Sequence, residues 1–154
     1  RLAADALHMI ALAEPNLDER MAWNRRTIDY ARRASDPRAQ GWQAAAHNNI
    51  GNDLREAGRY DDSLVAFCDA LAAYERRGGA DEVRIARWQI ANVLRLKGQR
   101  DEALAMQVAL ERDAAAAGAP DPYVYDELAL LHRAAGNEKS ALDAEARAAQ
   151  LRRR

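Results

Sequence analysis

A ten-residue stretch occurs three times in this chain, as Asn49-Ile50-Gly51-Asn52-Asp53-Leu54-Arg55-Glu56-Ala57-Gly58, Gln89-Ile90-Ala91-Asn92-Val93-Leu94-Arg95-Leu96-Lys97-Gly98 and Glu127-Leu128-Ala129-Leu130-Leu131-His132-Arg133-Ala134-Ala135-Gly136. Within each copy, apolar residues recur three or four positions apart, which is the spacing of one face of an α-helix. The closing glycine can adopt the left-handed conformation that ends a helix at little cost. Each copy therefore predicts the end of one helix and a tight turn into the next.

Further signals predict a second helix after each glycine. Leu64, Phe67, Leu71 and Tyr74 form one apolar stripe after the first copy. Asp36-Pro37 and Asp121-Pro122 each resemble an N-cap followed by proline at the first helical position. Together the signals predict helices over 2–13, 18–34, 37–57, 60–77, 81–97, 100–117, 122–135 and 138–152, paired as hairpins over about 2–34, 37–77, 81–117 and 122–152.

The repeated unit resembles the tetratricopeptide repeat family. A small residue stands seven positions before each turn glycine (Gly51, Ala91, Ala129) and five positions after it (Ser63, Ala103, Ala141). Nine positions after the glycine, Phe67 matches an aromatic that is common in the family, whereas Gln107 and Glu145 depart from it. The resemblance, closest over 44–152, extends to bacterial tetratricopeptide proteins with no assigned activity. It implies an all-α solenoid of about four hairpins in a right-handed superhelix, forming one domain over 1–154.

Composition limits the possible functions. The 154 residues carry a formal net charge of −1, so no overall field attracts the chain to nucleic acid or to an anionic membrane. A single cysteine, Cys68, excludes a disulfide within the chain and favours a cytoplasmic location. No apolar run approaches the roughly 20 residues that span a bilayer. The chain begins with Arg1, so we expect a processed product or a fragment of a longer protein.

The resemblance implies that the first helices of the hairpins line a concave groove for a protein or peptide segment. Arginine stands three residues before each turn glycine, at Arg55, Arg95 and Arg133. Equivalent positions of a solenoid line up in space, and arginine suits carboxylates, so we predict a cationic row for an extended acidic peptide. The other predicted groove residues are Asn48, Asn52, Arg84, Arg87, Trp88, Asn92 and Asp126. The alternative is that each arginine is solvated and pairs with a neighbouring acid such as Glu56 or Asp53.

The family's clamp for a C-terminal carboxylate is not expected here. Its positions correspond to Asn48, Asn52, Gln89, Tyr123 and Glu127, of which only Asn52 matches, and Glu127 reverses the required charge.

No motif indicates an enzyme, a cofactor or a metal. The sequence lacks a phosphate-binding glycine loop, HExxH, GxSxG and paired CxxC motifs, and its three histidines lack ligand spacing. His132 is expected to be a core histidine with satisfied hydrogen bonds, and the nearby Asp126 and Glu127 do not face one point with it. Cys68 follows Phe67 on the core stripe, so we expect a buried small side chain and not a nucleophile.

Three functions are compatible with these features of the sequence. The first is a protein-interaction scaffold; the others are a self-associating structural unit and a regulatory sensor domain of a larger protein. The last helix has a polar outer face, whereas the first is apolar around its circumference, so we expect a monomer or a weak homodimer formed through the N-terminal hairpin. Trp23 and Trp42 are predicted to fill the junction of the first two hairpins. The terminal Arg152-Arg153-Arg154 is predicted to be a frayed tail with too few charges to bind nucleic acid.

Overall fold

The chain is helical and forms no strand within residues 2–153, which are the residues that the computed structural model describes. Its helices are α1 (Leu2–Ala13), α2 (Leu17–Arg33), α3 (Pro37–Gln40), α4 (Trp42–Glu56), α5 (Tyr60–Arg77), α6 (Ala80–Leu96), α7 (Arg100–Ala116), α8 (Pro122–Ala134) and α9 (Glu138–Leu151). The all-α prediction is confirmed, and most helix boundaries lie within one residue of the predicted ones.

The continuous helix predicted over 37–57 is wrong at Gly41, where α3 ends and α4 begins. Gly41 keeps helical dihedral angles (φ −59, ψ −27), but a side chain from another helix approaches its backbone. Arg77 Nη1 lies 3.5 Å from the Gly41 carbonyl oxygen, and the guanidinium carbon lies 3.0 Å from where a Cβ of residue 41 would be. Glycine is a poor helix former, and its lack of a side chain leaves room for this approach.

The predicted helix ends are confirmed. Gly58, Gly98 and Gly136 all have positive φ values, of 73°, 86° and 77°. The residue after each glycine donates its backbone N–H to a carbonyl five residues earlier, at 2.8–2.9 Å, which closes the preceding helix. Asp36 and Asp121 accept the backbone N–H two residues ahead, each with proline at the start of the helix.

Distances between Cα atoms group the chain into two compact units, Arg1–Ala86 and Arg87–Arg154, with the division inside α6. In the first unit α2 packs on α1 and α4, and α4 packs on α5. Its core contains Met21, Ile28, Ile50, Leu54 and Ala66. In the second unit α8 packs on α7 and α9 around Leu110, Val124, Tyr125, Leu128 and Ala148. A single domain over 1–154 and a right-handed superhelix stay predictions.

Small residues lie where helices approach closely, as predicted. Gly51 is buried in α4, and a Cβ built on it would lie 2.6 Å from two ring carbons of Phe67 in α5. The Ser63 hydroxyl donates to the Gly51 carbonyl oxygen at 2.7 Å. Ala91, Ala103 and Ala141 are fully buried and Ala129 nearly so. At Gly51 the ring of Phe67 leaves no room for a larger residue.

Candidate functional site

Eight of the ten predicted groove residues lie along one face of the first helices, at positions i, i+3, i+7 and i+10, whereas Arg84 and Arg87 lie off that face. We call this the front face and define it by Ala45, Asn48, Asn52 and Arg55 in α4, by Trp88, Asn92 and Arg95 in α6, and by Tyr123, Asp126, Leu130 and Arg133 in α8. In α4 all four side chains are half-buried, whereas in α8 all except Asp126 are exposed. The front faces therefore differ in their exposure from helix to helix.

The front face of α4 is polar. Arg55 Nη2 donates to Asn52 Oδ1 at 3.0 Å, and its guanidinium carbon lies 6.0 Å from the centroid of the Phe67 ring. The Asn48 Oδ1 atom is buried and accepts no hydrogen bond from a described residue. Asp53, one of the acids expected beside Arg55, accepts a hydrogen bond from Arg20 Nε at 2.8 Å. The face thus presents two amides and a guanidinium within one helix.

Glu127 of α8 accepts hydrogen bonds from two of the predicted groove residues, which lie in α6. Its carboxylate accepts from Arg95 Nε at 2.7 Å, from Arg95 Nη2 at 3.0 Å and from Asn92 Nδ2 at 2.9 Å. Glu127 is only 4% exposed. A buried carboxylate is tolerable because the guanidinium fork and the amide together satisfy it. The acid that reversed the charge of the family's clamp therefore serves as an internal partner of α6.

Arg133 is exposed and lies between two glutamates of α9. Its Nη1 donates to Glu145 at 2.8 Å, and its Nε and Nη2 donate to Glu138 at 3.1–3.4 Å. These hydrogen bonds, the one to Glu145 first, raise the pKa of Arg133, and the Arg133 hydrogen bond lowers the pKa of Glu145. Both partners are solvated, so this is a surface ion pair.

The two further predicted arginines also have acidic partners. Arg84 pairs with Asp81 one turn earlier in α6, and Arg87 Nη1 lies 3.6 Å from Asp113 Oδ2 in α7. Pairing with acids of the same chain, the alternative considered from the sequence, thus describes Arg84, Arg87, Arg95 and Arg133, although the acids are not Glu56 or Asp53. Peptide binding at these residues stays a prediction.

An aromatic cluster was not foreseen beside Trp88. Trp88 Nε1 donates to the Tyr123 carbonyl oxygen at 3.2 Å, and the two rings meet edge to face with centroids 6.4 Å apart. Arg152 lies 5.8 Å from the Tyr123 ring centroid and donates to Asp126 Oδ1 at 3.2 Å. Tyr123 is 62% and Leu130 is 45% exposed. In the sequence, the helical spacing of Tyr123 and Leu130 from Asp126 and Arg133 indicates that these four side chains share one face. The frayed-tail prediction is wrong for Arg152, and Arg154 lies outside the described residues.

Residues 42–108, which run from α4 into α7, match the family model described as tetratricopeptide repeat. These residues belong to the tetratricopeptide repeat family. The crystal structure of BtubC (BKLC) from P. vanneervenii is similar, with 15% identity and a TM-score of 0.80 over 97% of this chain, and the chain spans 63% of that protein's length. This likeness shows the shared fold, an all-α solenoid. No curated protein matches the sequence significantly. Tetratricopeptide repeat proteins generally bind proteins or peptides and are typically non-catalytic.

The remaining predicted chemistry is corrected at two residues. Cys68 is exposed and not buried, because the next residue along a helix turns about 100° away from the buried Phe67. Partial burial and then Asp69 raise the pKa of its thiol, so it stays protonated near neutral pH. His132 is half-buried, and its buried Nδ1 atom has no hydrogen-bond partner among residues 2–153, so it is not the satisfied histidine expected.

Of the two tryptophans predicted at the junction of the first two hairpins, Trp42 lies there, and the placement of Trp23 stays a prediction. Trp42 joins the first two hairpins, since its Nε1 donates to Asp5 at 2.7 Å and its ring lies 4.3 Å from that of His8 in α1. Trp23 is half-buried, with Arg26 4.4 Å above its ring.

Within residues 2–153, no group of three or more His, Cys, Asp or Glu side chains is arranged to hold a metal ion. Over the same residues, each helix falls short of the length and apolar content that crossing a membrane requires.

Proposed function

We propose that this chain is a protein–protein interaction scaffold that binds a peptide or protein segment on the front faces of its first helices. One observation carries the proposal: on α8 an exposed tyrosine and an exposed leucine share a face with Asp126 and Arg133. Large apolar side chains exposed next to polar ones are typical of interaction surfaces. The known preference of the family for protein and peptide ligands agrees with this assignment.

On α8 the ligand would use both apolar and polar contacts. An apolar ligand side chain packs on Tyr123 and Leu130, which remain accessible. Asp126 and Arg152 already pair with each other, so they form a neutral polar rim and do not select a charge. Tyrosine supplies much contact area at a small entropic cost, so we expect Tyr123 to be the main apolar anchor.

On α4 the ligand would use hydrogen bonds. The half-buried amide of Asn52 offers both donor and acceptor groups to the backbone of an extended segment. Arg55 adds positive charge, and a ligand carboxylate can replace the exposed glutamates that pair with Arg133, so an acidic segment is favoured over a basic one. We therefore propose an extended acidic peptide with at least one large apolar residue as the ligand class.

The test is a selection from a displayed peptide library, followed by affinity measurements on the selected peptides by fluorescence anisotropy. Wild type is compared with the Tyr123→Ala/Leu130→Ala variant and with an Arg55, Arg95 and Arg133 triple alanine variant. An Arg25, Arg33 and Arg112 triple alanine variant is the charge-matched control, because these arginines lie off the front faces. We expect both front-face variants to bind at least about 10-fold more weakly, which corresponds to about 1.4 kcal/mol.

Two results would contradict the proposal. One is a selected peptide set with neither acidic nor apolar enrichment. The other is an equal loss of affinity in the control variant, since this would show a nonspecific effect of net charge. Added salt should weaken binding of the acidic peptides, because the arginines are only partly shielded from solvent.

A second candidate function, self-association, is favoured by the surface of α1. Leu2, Met9, Ile10 and Leu12 are 84%, 61%, 42% and 56% exposed. We propose that any homodimer forms through this helix. Sedimentation at increasing protein concentration should show association in wild type that Met9→Glu abolishes, whereas Leu142→Glu, at an exposed apolar residue of α9, should leave it unchanged. Equal association of all three proteins would exclude α1 as the interface.

We also propose a reducing, cytoplasmic location, because the thiol of Cys68 is free and exposed.

A further inference from the structure

Among the described residues, four arginines and no acid line a cleft in the first unit. It has a volume of about 690 Å³ and lies where the ends of α2 and α5 meet α3 and the start of α4. Arg32, Arg38, Arg76 and Arg77 line it, together with the amides of Gln40 and Gln43. Ala31 and Ala73, both buried, contribute its apolar surface. The cleft shares no residue with the front faces.

All four arginines lie in the last turns of helices, where the carbonyl ends favour cations. Arg32 lies at the end of α2, and Arg76 and Arg77 lie at the end of α5. Arg38 lies in the four-residue α3, which begins after the Asp36 N-cap. Arg77 turns towards the Gly41 carbonyl oxygen, which brings its positive charge to the same place. Like charges around one cleft repel each other, and a bound anion removes that repulsion.

We propose that this cleft binds the phosphate groups of a small phosphorylated molecule. Guanidinium forks match the tetrahedral oxygens of phosphate and can each donate two hydrogen bonds to them. The described residues that line the cleft include no aromatic ring on which a nucleobase could stack, so the phosphate groups are the part recognised.

His47 provides a reporter inside the same unit. Burial is the main cause that lowers its pKa, and the charges of Arg32 and Arg76 lower it further, whereas Asp69, 3.7 Å away, raises it. A phosphate group bound between Arg32 and Arg76 offsets their positive charge. Binding should therefore raise the pKa of His47, which can be followed through its ring protons by NMR.

The experiment titrates inorganic pyrophosphate into the full chain at constant ionic strength, with calorimetry and the His47 resonance as readouts. The Arg32→Ala/Arg76→Ala variant is compared with Arg33→Ala/Arg112→Ala, which removes the same charge from outside the cleft and includes the neighbour of Arg32 in the same helix end. A third variant, Arg32→Lys/Arg76→Lys, keeps the charge but removes the forks. Circular dichroism verifies that each variant is folded.

We expect pyrophosphate to bind wild type and to raise the pKa of His47. The cleft alanine variant should bind at least about 10-fold more weakly, the control should stay within about 2-fold of wild type, and the lysine variant should lie between them. The proposal is overturned by an absence of binding at millimolar pyrophosphate, by equal losses in cleft and control variants, or by saturation with an unchanged His47 pKa. A phosphoserine peptide that binds more tightly than pyrophosphate would also overturn the small-molecule assignment.

Discussion

Replacing Gly51 by alanine tests the close packing of α4 on α5. Ordinary contacts of a Cβ atom begin at 3.4 Å, whereas the Cδ1 and Cε1 atoms of Phe67 lie 2.6 Å from the position of the new methyl group. The helices or the ring must therefore separate by about 0.8 Å (3.4 − 2.6). Phe67 is fully buried, so its ring has no free space into which to move.

Two effects of opposite sign set the size of the change. Overpacking of a well-packed core costs about 1–3 kcal/mol. Alanine is a better helix former than glycine by about 0.8–1.0 kcal/mol, which offsets part of that cost. The expected net loss for Gly51→Ala is about 0–2 kcal/mol, or a melting temperature lower by up to about 8 °C.

A matched control and a rescue make this prediction sharper. At Gly41 the nearest side chain is the flexible end of the exposed Arg77, so Gly41→Ala should leave the melting temperature unchanged or raise it. Phe67→Leu removes the ring, and in that background Gly51→Ala should become stabilising by up to about 1 kcal/mol, because only the helix preference remains. The melting temperatures of wild type and of the four variants are measured by circular dichroism. Equal effects of the two glycine substitutions, or no change of sign in the leucine background, would refute the assigned contact.

Three further predictions concern buried residues. Glu127→Ala should lower the free energy of unfolding by about 2–3 kcal/mol in a urea titration, since it leaves the fork of Arg95 without its carboxylate; Glu127→Gln should cost less, and no change for either would contradict a structural role. Burial lowers the pKa of His47, so below pH 6.5 the unfolded chain takes up a proton that the folded chain resists. The free energy of unfolding should therefore decrease as the pH is lowered. His47→Gln should reduce this slope between pH 7.5 and 5.5, and an unchanged slope would exclude His47 as its source. Ala91→Leu should cost about 1–3 kcal/mol through overpacking, and an unchanged melting temperature would count against the repeat alignment.

The fold could be predicted wherever the deciding signal is local. A glycine that ends a helix and an aspartate before proline act within a few residues, and Gly58, Asp36 and Asp121 all behave as expected. The contact at Gly41 could not be predicted in this way, because it is made by Arg77, which is 36 residues away. The burial predicted for Cys68 is wrong for a different reason. The apolar stripe of α5 is narrow, so it includes Phe67 but not the next residue along the helix.

The candidate site was less predictable because it depends on pairs that are distant in sequence. The recurrence of arginine before each turn glycine is visible in the sequence, but the choice of Glu127 as the partner of Arg95 joins residues 32 positions apart. The arginine cleft gathers side chains from three separate segments. Its only signal in the sequence is a doubled arginine at the ends of two second helices, Arg32-Arg33 and Arg76-Arg77.

Equivalent repeat positions therefore do not contribute equally to the proposed binding of an acidic peptide. At Arg133 a ligand carboxylate replaces exposed glutamates, whose ion pairs are worth about 0–1 kcal/mol each, so the exchange costs little. At Arg95 it would have to displace Glu127, whose side chain is only 6% exposed, and leave that buried carboxylate with fewer donors. In the triple alanine variant, restoring Arg133 should consequently recover more affinity than restoring Arg95. If restoring Arg95 recovered more, Glu127 would have to yield to the ligand, and the buried pair would be part of the binding site and not a fixed support for it.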